Sequence, residues 1–182
     1  MTVPKARHTR TLSERLTPYR RTLALVRVDF PPGHVVPSPV SWATASIVSV
    51  VGSLAADAAL VAIGTGVFPT TKGYVDFRFS DYGKLTVLGV VVACLAWPVI
   101  TWISSSPRWL FFRLAIGVTV VLWLPDLWIL WQGQPVKAVA ILMVMHVVIA
   151  LVTYGALFLV AAPRNTEDGG GRWVTDPRPL RR

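Results

Sequence analysis

Three ionisable side chains lie inside long apolar segments of this 182-residue chain, namely Asp57, Asp126 and His146. A charged side chain near the centre of a bilayer costs on the order of 2.5–3.5 kcal/mol on insertion scales, so such residues are candidates for function. An aspartate beside a histidine can stabilise the charged forms of both groups or share one proton with it. The three residues could therefore relay a proton, anchor a ligand or supply half of a metal site.

Each of the three residues also has a structural interpretation. Asp57 can be a buried acid bonded to Ser53 or to a hydroxyl on another helix, His146 can bond a backbone carbonyl, and Asp126 can reach the membrane interface. The set lacks the spacing of metal ligands, so no metal site is expected. No phosphate-binding loop, nucleophile motif or cysteine pair accompanies it, so we expect neither an enzyme nor a cofactor.

Four apolar segments must position these residues, at 42–66, 85–104, 109–131 and 136–162. Crossing the hydrocarbon core takes ~20 apolar residues in a helix, and each segment has that length. The chain is 53% hydrophobic and only 15% charged, whereas soluble domains carry about 25% charged residues. The sequence therefore predicts an all-α polytopic membrane protein, a four-transmembrane-helix up-down bundle over residues 42–162.

The helical rise places the three ionisable residues at comparable depths. Asp57 and His146 are expected a few Å to the outer side of the membrane midplane, with Asp126 nearer the outer surface. All three are therefore predicted to converge in the outer half of one bundle. Pro98 and Pro125 interrupt the second and third segments, and the kinks they cause can open a small-molecule pocket.

Residues 1–41 form a basic arm, and residues 163–182 form a tail rich in Arg, Gly and Pro that is predicted to be disordered. Within the arm, residues 11–28 favour an amphipathic interfacial helix with Arg15, Arg20 and Arg21 against anionic lipids of the cytoplasmic leaflet. A disordered arm is the alternative. The basic residues flank spans and no DNA-binding motif is present, so no nucleic-acid partner is expected.

The positive-inside rule orients the bundle. Seven basic residues of the arm, two near the turn between the second and third segments and five of the tail lie on one side. The other side carries four, namely Lys72, Arg78, Lys84 and Lys137. Because Lys and Arg accumulate in cytoplasmic loops, both termini are predicted to be cytoplasmic, in a bacterial plasma membrane.

The first segment presents small residues at three- or four-residue spacing, namely Ala45, Ser49, Gly52, Ala56 and Ala59. Small residues let helix backbones approach closely in lipid, where packing replaces the hydrophobic effect. This helix-packing face is expected either inside the bundle or at a contact with a second copy or a protein partner.

Three sequence elements, at residues 55–59, 113 and 142–148, carry a family resemblance. They are Ala-Ala-Asp-Ala-Ala around Asp57, Arg113 at the start of the third segment, and Leu-Met-Val-Met-His-Val-Val around His146. With them, the region from Ala55 to Tyr154 resembles a family of uncharacterised four-helix actinobacterial integral membrane proteins. The resemblance implies the four-span fold and no activity, so it assigns no functional residue.

Two functions from different classes are consistent with the sequence. The first is a non-enzymatic accessory or scaffold protein that packs against a larger membrane complex or against itself. The alternative is a lipid- or quinone-binding protein, or a proton-coupled carrier of a small solute, that uses the intramembrane Asp and His residues. If Asp57 and His146 face a shared cavity, the second hypothesis is favoured.

Overall fold

The computed structural model describes residues 22, 23, 25, 28, 36–104 and 106–162. Arg15, Arg20 and Arg21 of the predicted interfacial helix, and the predicted disordered tail at 163–182, lie outside the described residues. Within the described part of the arm, Val28 forms an isolated antiparallel bridge with Ser104.

Four long helices account for most of the described chain. They are α1 (Pro39–Val67), α2 (Phe79–Ile103), α3 (Pro107–Trp131) and α4 (Val136–Val160). By length and composition, each is able to cross a membrane. The predicted all-α, four-span fold class is therefore confirmed.

Two helices begin earlier than the hydropathy pattern predicts. Helix α1 begins at Pro39, before Trp42, because the Ser38 side chain caps it by accepting from the Ser41 backbone amide. Pro39 occupies the first helical position, which suits proline because its missing amide hydrogen is not needed there. Helix α2 begins at Phe79 instead of Leu85, with the acidic Asp81 in its first turn. Such a residue stabilises a helix N-terminus but lowers local hydropathy, which hides the turn from a sequence-based prediction.

The small-residue face of α1 packs largely inside the bundle. Ala45 and Ser49 are fully buried, and a Cβ added at Gly52 would lie only 3.0 Å from a side chain of α4. The other two members, Ala56 and Ala59, are half-buried and exposed respectively. Close approach of α1 and α4 thus accounts for most of this face.

Tryptophan side chains bond α2 to its neighbours. Pro98 has no amide hydrogen to donate to the carbonyl of Cys94 one turn earlier. The indole nitrogen of Trp42 on α1 donates to that freed carbonyl at 2.8 Å. Trp97, which is fully buried, donates to the carbonyl of Ala161 beyond the end of α4 at 2.9 Å. These bonds fix the end of the bundle at which α2 turns into α3.

The opposite end is called here the loop end, and it carries residues 68–78 and 132–135. Two short 3-10 turns, Pro69–Thr71 and Val75–Phe77, shape the longer loop. Phe77 is buried and Tyr74 is half-buried, and both pack against a cluster that includes Tyr82 and Met145. These aromatic residues therefore cover this end of the bundle.

Candidate functional site

A groove separates α2 from α3 over most of their length. Next to the turn that joins the two helices, the rings of Trp97 and Phe111 meet edge to face with centroids 5.0 Å apart. Toward the loop end, α2 and α3 form the walls of a cavity of about 680 Å³. Its floor consists of α4 residues between 142 and 153. This cavity is named the groove below.

The walls of the groove are almost entirely apolar and open to the surface of the bundle. Leu88 and Val92 of α2 and Leu114 and Val118 of α3 line it, and all four side chains are exposed. The protein is a multi-pass integral membrane protein by the length and apolarity of its four helices. The opening of the groove therefore faces lipid, and an apolar chain can enter it without crossing water.

Polar side chains gather at the end of the groove nearer the loop end. Asp126 of α3 and His146 of α4 both line it. His146 Nδ1 lies 3.2 Å from Asp126 Oδ2 and 3.0 Å from the carbonyl oxygen of Leu142, one turn earlier in α4. A carbonyl oxygen can only accept, so the tautomer that bonds Leu142 carries its hydrogen on Nδ1. Asp126 Oδ2 itself makes no hydrogen bond among the described residues.

Asp57 lies behind the groove wall and does not line it. It is fully buried in α1, and the hydroxyl of Thr86 on α2 donates to its Oδ2 at 2.7 Å. Its other oxygen, Oδ1, and the Ser53 hydroxyl have no hydrogen-bond partner among the described residues. Asp57 is near enough to His146 for electrostatic interaction. The groove is therefore lined by the Asp126–His146 pair and not by Asp57, so Asp57 and His146 do not face the shared cavity that would favour a binding function on the sequence argument alone.

The mouth of the groove at the loop end is acidic. Asp76 from the loop and Asp81 from the first turn of α2 line it, together with Tyr82. No Lys or Arg is among the described residues that line the groove. Nearby, burial and the neighbouring Asp76 carboxylate raise the pKa of Tyr74 to about 12. These carboxylates and the Asp126 side chain make this end of the groove a region of hydrogen-bond acceptors.

Sequence reasoning missed Thr86, Asp76 and Asp81. A threonine within an apolar helix does not by itself indicate a functional residue. Thr86 is relevant only because α2 places its hydroxyl beside the Asp57 carboxylate. Asp76 and Asp81 lie outside the four apolar segments, where charged residues are common and do not by themselves indicate a site. In the part of the chain that the structure describes, no three His, Cys, Asp or Glu side chains are placed to hold a metal ion.

No protein family, curated protein or solved structure shows a significant match to this chain. Membership of the four-helix actinobacterial family therefore stays a prediction. The arguments on function below rest on the geometry of the groove and its polar end.

Proposed function

We propose that this protein is a non-enzymatic binding protein for one membrane amphiphile, a molecule with a long apolar tail and a compact polar head. The observation that carries the proposal is the groove: it is apolar along its walls, open to lipid, and ends at the Asp126–His146 pair. Binding sites for small molecules combine an apolar lining with a few convergent polar groups in this way. Of the hypotheses from sequence, this geometry favours the lipid- or quinone-binding class.

The proposed orientation follows the distribution of Lys and Arg. With both termini cytoplasmic in a bacterial plasma membrane, the loop end of the bundle faces outward. The Asp126 carboxylate then lies in the outer half of the bilayer, because Asp126 is close to the C-terminus of α3 at Trp131. An amphiphile of the outer leaflet would place its head at that depth and its tail along the groove toward Phe111.

An accessory subunit of a larger complex is the second candidate function. Helix α3 is the least buried of the four, with only 6% of its most apolar window buried. A helix of a protein partner, or of a second copy, could occupy the groove beside it. The small-residue face of α1 gives this candidate less support, since most of that face is already buried inside the bundle.

A pair of glycine substitutions tests both candidates. Gly89 lines the groove, and a Cβ there would meet no atom within 4 Å, so Gly89→Phe fills the groove without a backbone clash. Gly117 on α3 is equally open but lies outside the groove, so Gly117→Phe is the matched control. Both changes replace a helical glycine by the same residue, so their effects on helix propensity are equal.

The measurement is native mass spectrometry of the full chain, extracted with its surrounding lipid in polymer-bounded discs. The proposal expects one amphiphile in equimolar amount with wild type and Gly117→Phe, and its loss from Gly89→Phe. A stoichiometric protein that is lost from Gly89→Phe would replace the proposal with the accessory-subunit function. The same bound molecules in all three proteins, or none in any, would overturn the amphiphile-binding function.

A further inference from the structure

We infer that the groove selects an amphiphile whose head is a cationic amine, and that this amine contacts the carboxylate of Asp126. The inference rests on the proposed function and adds the chemical class of the ligand. It is carried by three features: the setting of the groove in lipid, the charges that line it, and a buried carboxylate oxygen without a hydrogen bond.

The setting in lipid means that the tail contributes little to selection. A tail that moves from bilayer to groove leaves one apolar environment for another, so no hydrophobic driving force accompanies the transfer. Packing against the walls can favour a tail of suitable shape, but many amphiphiles share such tails. The polar end of the groove must therefore distinguish the ligand from bulk lipid.

The charges at that end favour a cation. Asp76 and Asp81 line the mouth and Asp126 lies within the groove, whereas His146 is the one basic side chain among the described lining residues. An anionic head would approach three carboxylates without an arginine or lysine to hold it. Like charges repel more strongly in a low-dielectric site than in water. A carboxylate or sulfate head is therefore disfavoured.

Asp126 supplies the specific contact. Its side chain is only 9% exposed, and its Oδ2 has no hydrogen-bond partner among the described residues. The nearest donor, His146 Nδ1, is closer to the Leu142 carbonyl oxygen at 3.0 Å than to Oδ2 at 3.2 Å. A buried carboxylate oxygen without a donor is costly, and a ligand that brings one removes the cost.

An ammonium group meets this requirement better than the other heads considered. It brings three donors and a positive charge, and hydrogen bonds between charged partners are about twice as strong as neutral ones. A quinone offers only carbonyl acceptors and would leave Asp126 without a donor. With its Nδ1 hydrogen directed at Leu142, the neutral form of His146 would offer a further acceptor at Nε2.

The test measures head selectivity at a constant tail length. Full-length protein in dodecylmaltoside micelles is titrated with radiolabelled hexadecylamine, and bound ligand is counted after separation from empty micelles. Hexadecanol, hexadecanoic acid, a menaquinone and phosphatidylethanolamine then compete with it. We expect hexadecylamine to bind at least tenfold more tightly than the alcohol and the acid. Competition by phosphatidylethanolamine would identify the amine of a phospholipid as the source, and its absence would identify a free long-chain amine.

Three variants complete the design. Asp126→Asn keeps the size of the side chain but removes its charge, and it should weaken hexadecylamine binding by about tenfold, since a charge-assisted hydrogen bond contributes at least that factor. It should leave hexadecanol binding unchanged. Gly89→Phe should abolish binding of both probes, and Gly117→Phe should abolish neither. The comparison of probes on wild type needs no variant, so a poorly folded Asp126→Asn would not prevent the test.

The contradicting outcomes separate the two proposals. If hexadecanol, the acid or the menaquinone binds as well as the amine and Gly89→Phe blocks it, the groove binds an amphiphile but the inference on its head is wrong. Equal binding of hexadecylamine to wild type and Asp126→Asn would also overturn that inference. If wild type binds no probe more tightly than Gly89→Phe does, both the proposed function and the inference on the head are wrong.

Discussion

The bond between Thr86 and Asp57 leads to the sharpest prediction on stability. Thr86→Val removes the hydroxyl that donates to Asp57 Oδ2 at 2.7 Å. Since Asp57 is fully buried and its Oδ1 already has no partner, the variant leaves both carboxylate oxygens without a donor. Side-chain hydrogen bonds between membrane helices contribute about 0.6 kcal/mol on average and about 1.7 at most. An unsatisfied buried group costs about 1–3 kcal/mol, so we expect a loss of about 1.5–2 kcal/mol in the free energy of unfolding.

The assay is equilibrium unfolding in mixed micelles with a rising mole fraction of dodecyl sulfate, followed by the fluorescence of the eight tryptophans. Thr119→Val is the matched control. Thr119 also lines the groove, but its hydroxyl donates at 2.8 Å to the Ala115 carbonyl of its own helix. Its loss should therefore cost less than about 0.5 kcal/mol, as for surface changes in general. Thr86→Ser keeps the donor and should restore most of the stability.

A double variant isolates the pair. Replacing both Thr86 and Asp57 by valine removes the donor and the acceptor together, so neither member of the pair is left buried without its partner. The double variant should be clearly more stable than the sum of the two single changes predicts. If Thr86→Val is no more destabilising than Thr119→Val, or if the single changes are additive, the bond does not stabilise Asp57 and the reasoning is refuted.

Three further predictions use the same purified protein. Gly64→Ala should leave the fold about 1 kcal/mol less stable than Gly66→Ala, because a Cβ at residue 64 would displace the end of the Ile141 side chain, whereas one at residue 66 meets nothing; equal midpoints in dodecyl sulfate would contradict this. Trp97→Phe should cost about 1–3 kcal/mol in that assay, since it leaves a buried backbone carbonyl without its 2.9 Å donor; an unchanged midpoint would show that the indole bond is dispensable. With its pKa raised from 10.0 to about 12, Tyr74 favours the neutral phenol in the fold, so its contribution to stability is complete below pH 10 and is lost as the pH rises toward 12. An ultraviolet titration should show one phenol ionising near 12 in wild type that is missing from Tyr74→Phe, and a wild-type curve without that step would be the contrary result.

Hydropathy and helical rise are sufficient to predict the four spans and the level at which the ionisable residues meet. They do not predict which side chains touch, because contact depends on the rotation of each helix about its own axis. In a soluble protein an apolar stripe indicates that rotation, but a span that is apolar on all sides carries no such stripe. The sequence therefore leaves open whether His146 pairs with Asp57 or with Asp126, and the structure pairs it with Asp126.

The groove was foreseen only as a consequence of Pro98 and Pro125. Its position depends on long-range packing: α3 packs mainly on α4, while α2 is bonded to α1 by Trp42 and to the end of α4 by Trp97. Helix α2 packs mainly on α1, which leaves the space between α2 and α3 open beyond the Trp97–Phe111 contact. The donor and acceptor of each tryptophan bond lie far apart in the chain, so local sequence patterns do not reveal them. The position of the cavity therefore could not be predicted from the sequence.

Photocrosslinking from the wall of the groove tests amphiphile binding most directly. A benzoylphenylalanine in place of Leu122 faces the groove, and one in place of the adjacent Val121, which is exposed but outside the groove, faces bulk lipid. Both full-length proteins are irradiated in membranes and the adduct masses are read by mass spectrometry. Binding of one amphiphile predicts a single dominant adduct at residue 122 and a mixture of bulk-lipid adducts at residue 121. The same mixture at both positions would contradict it.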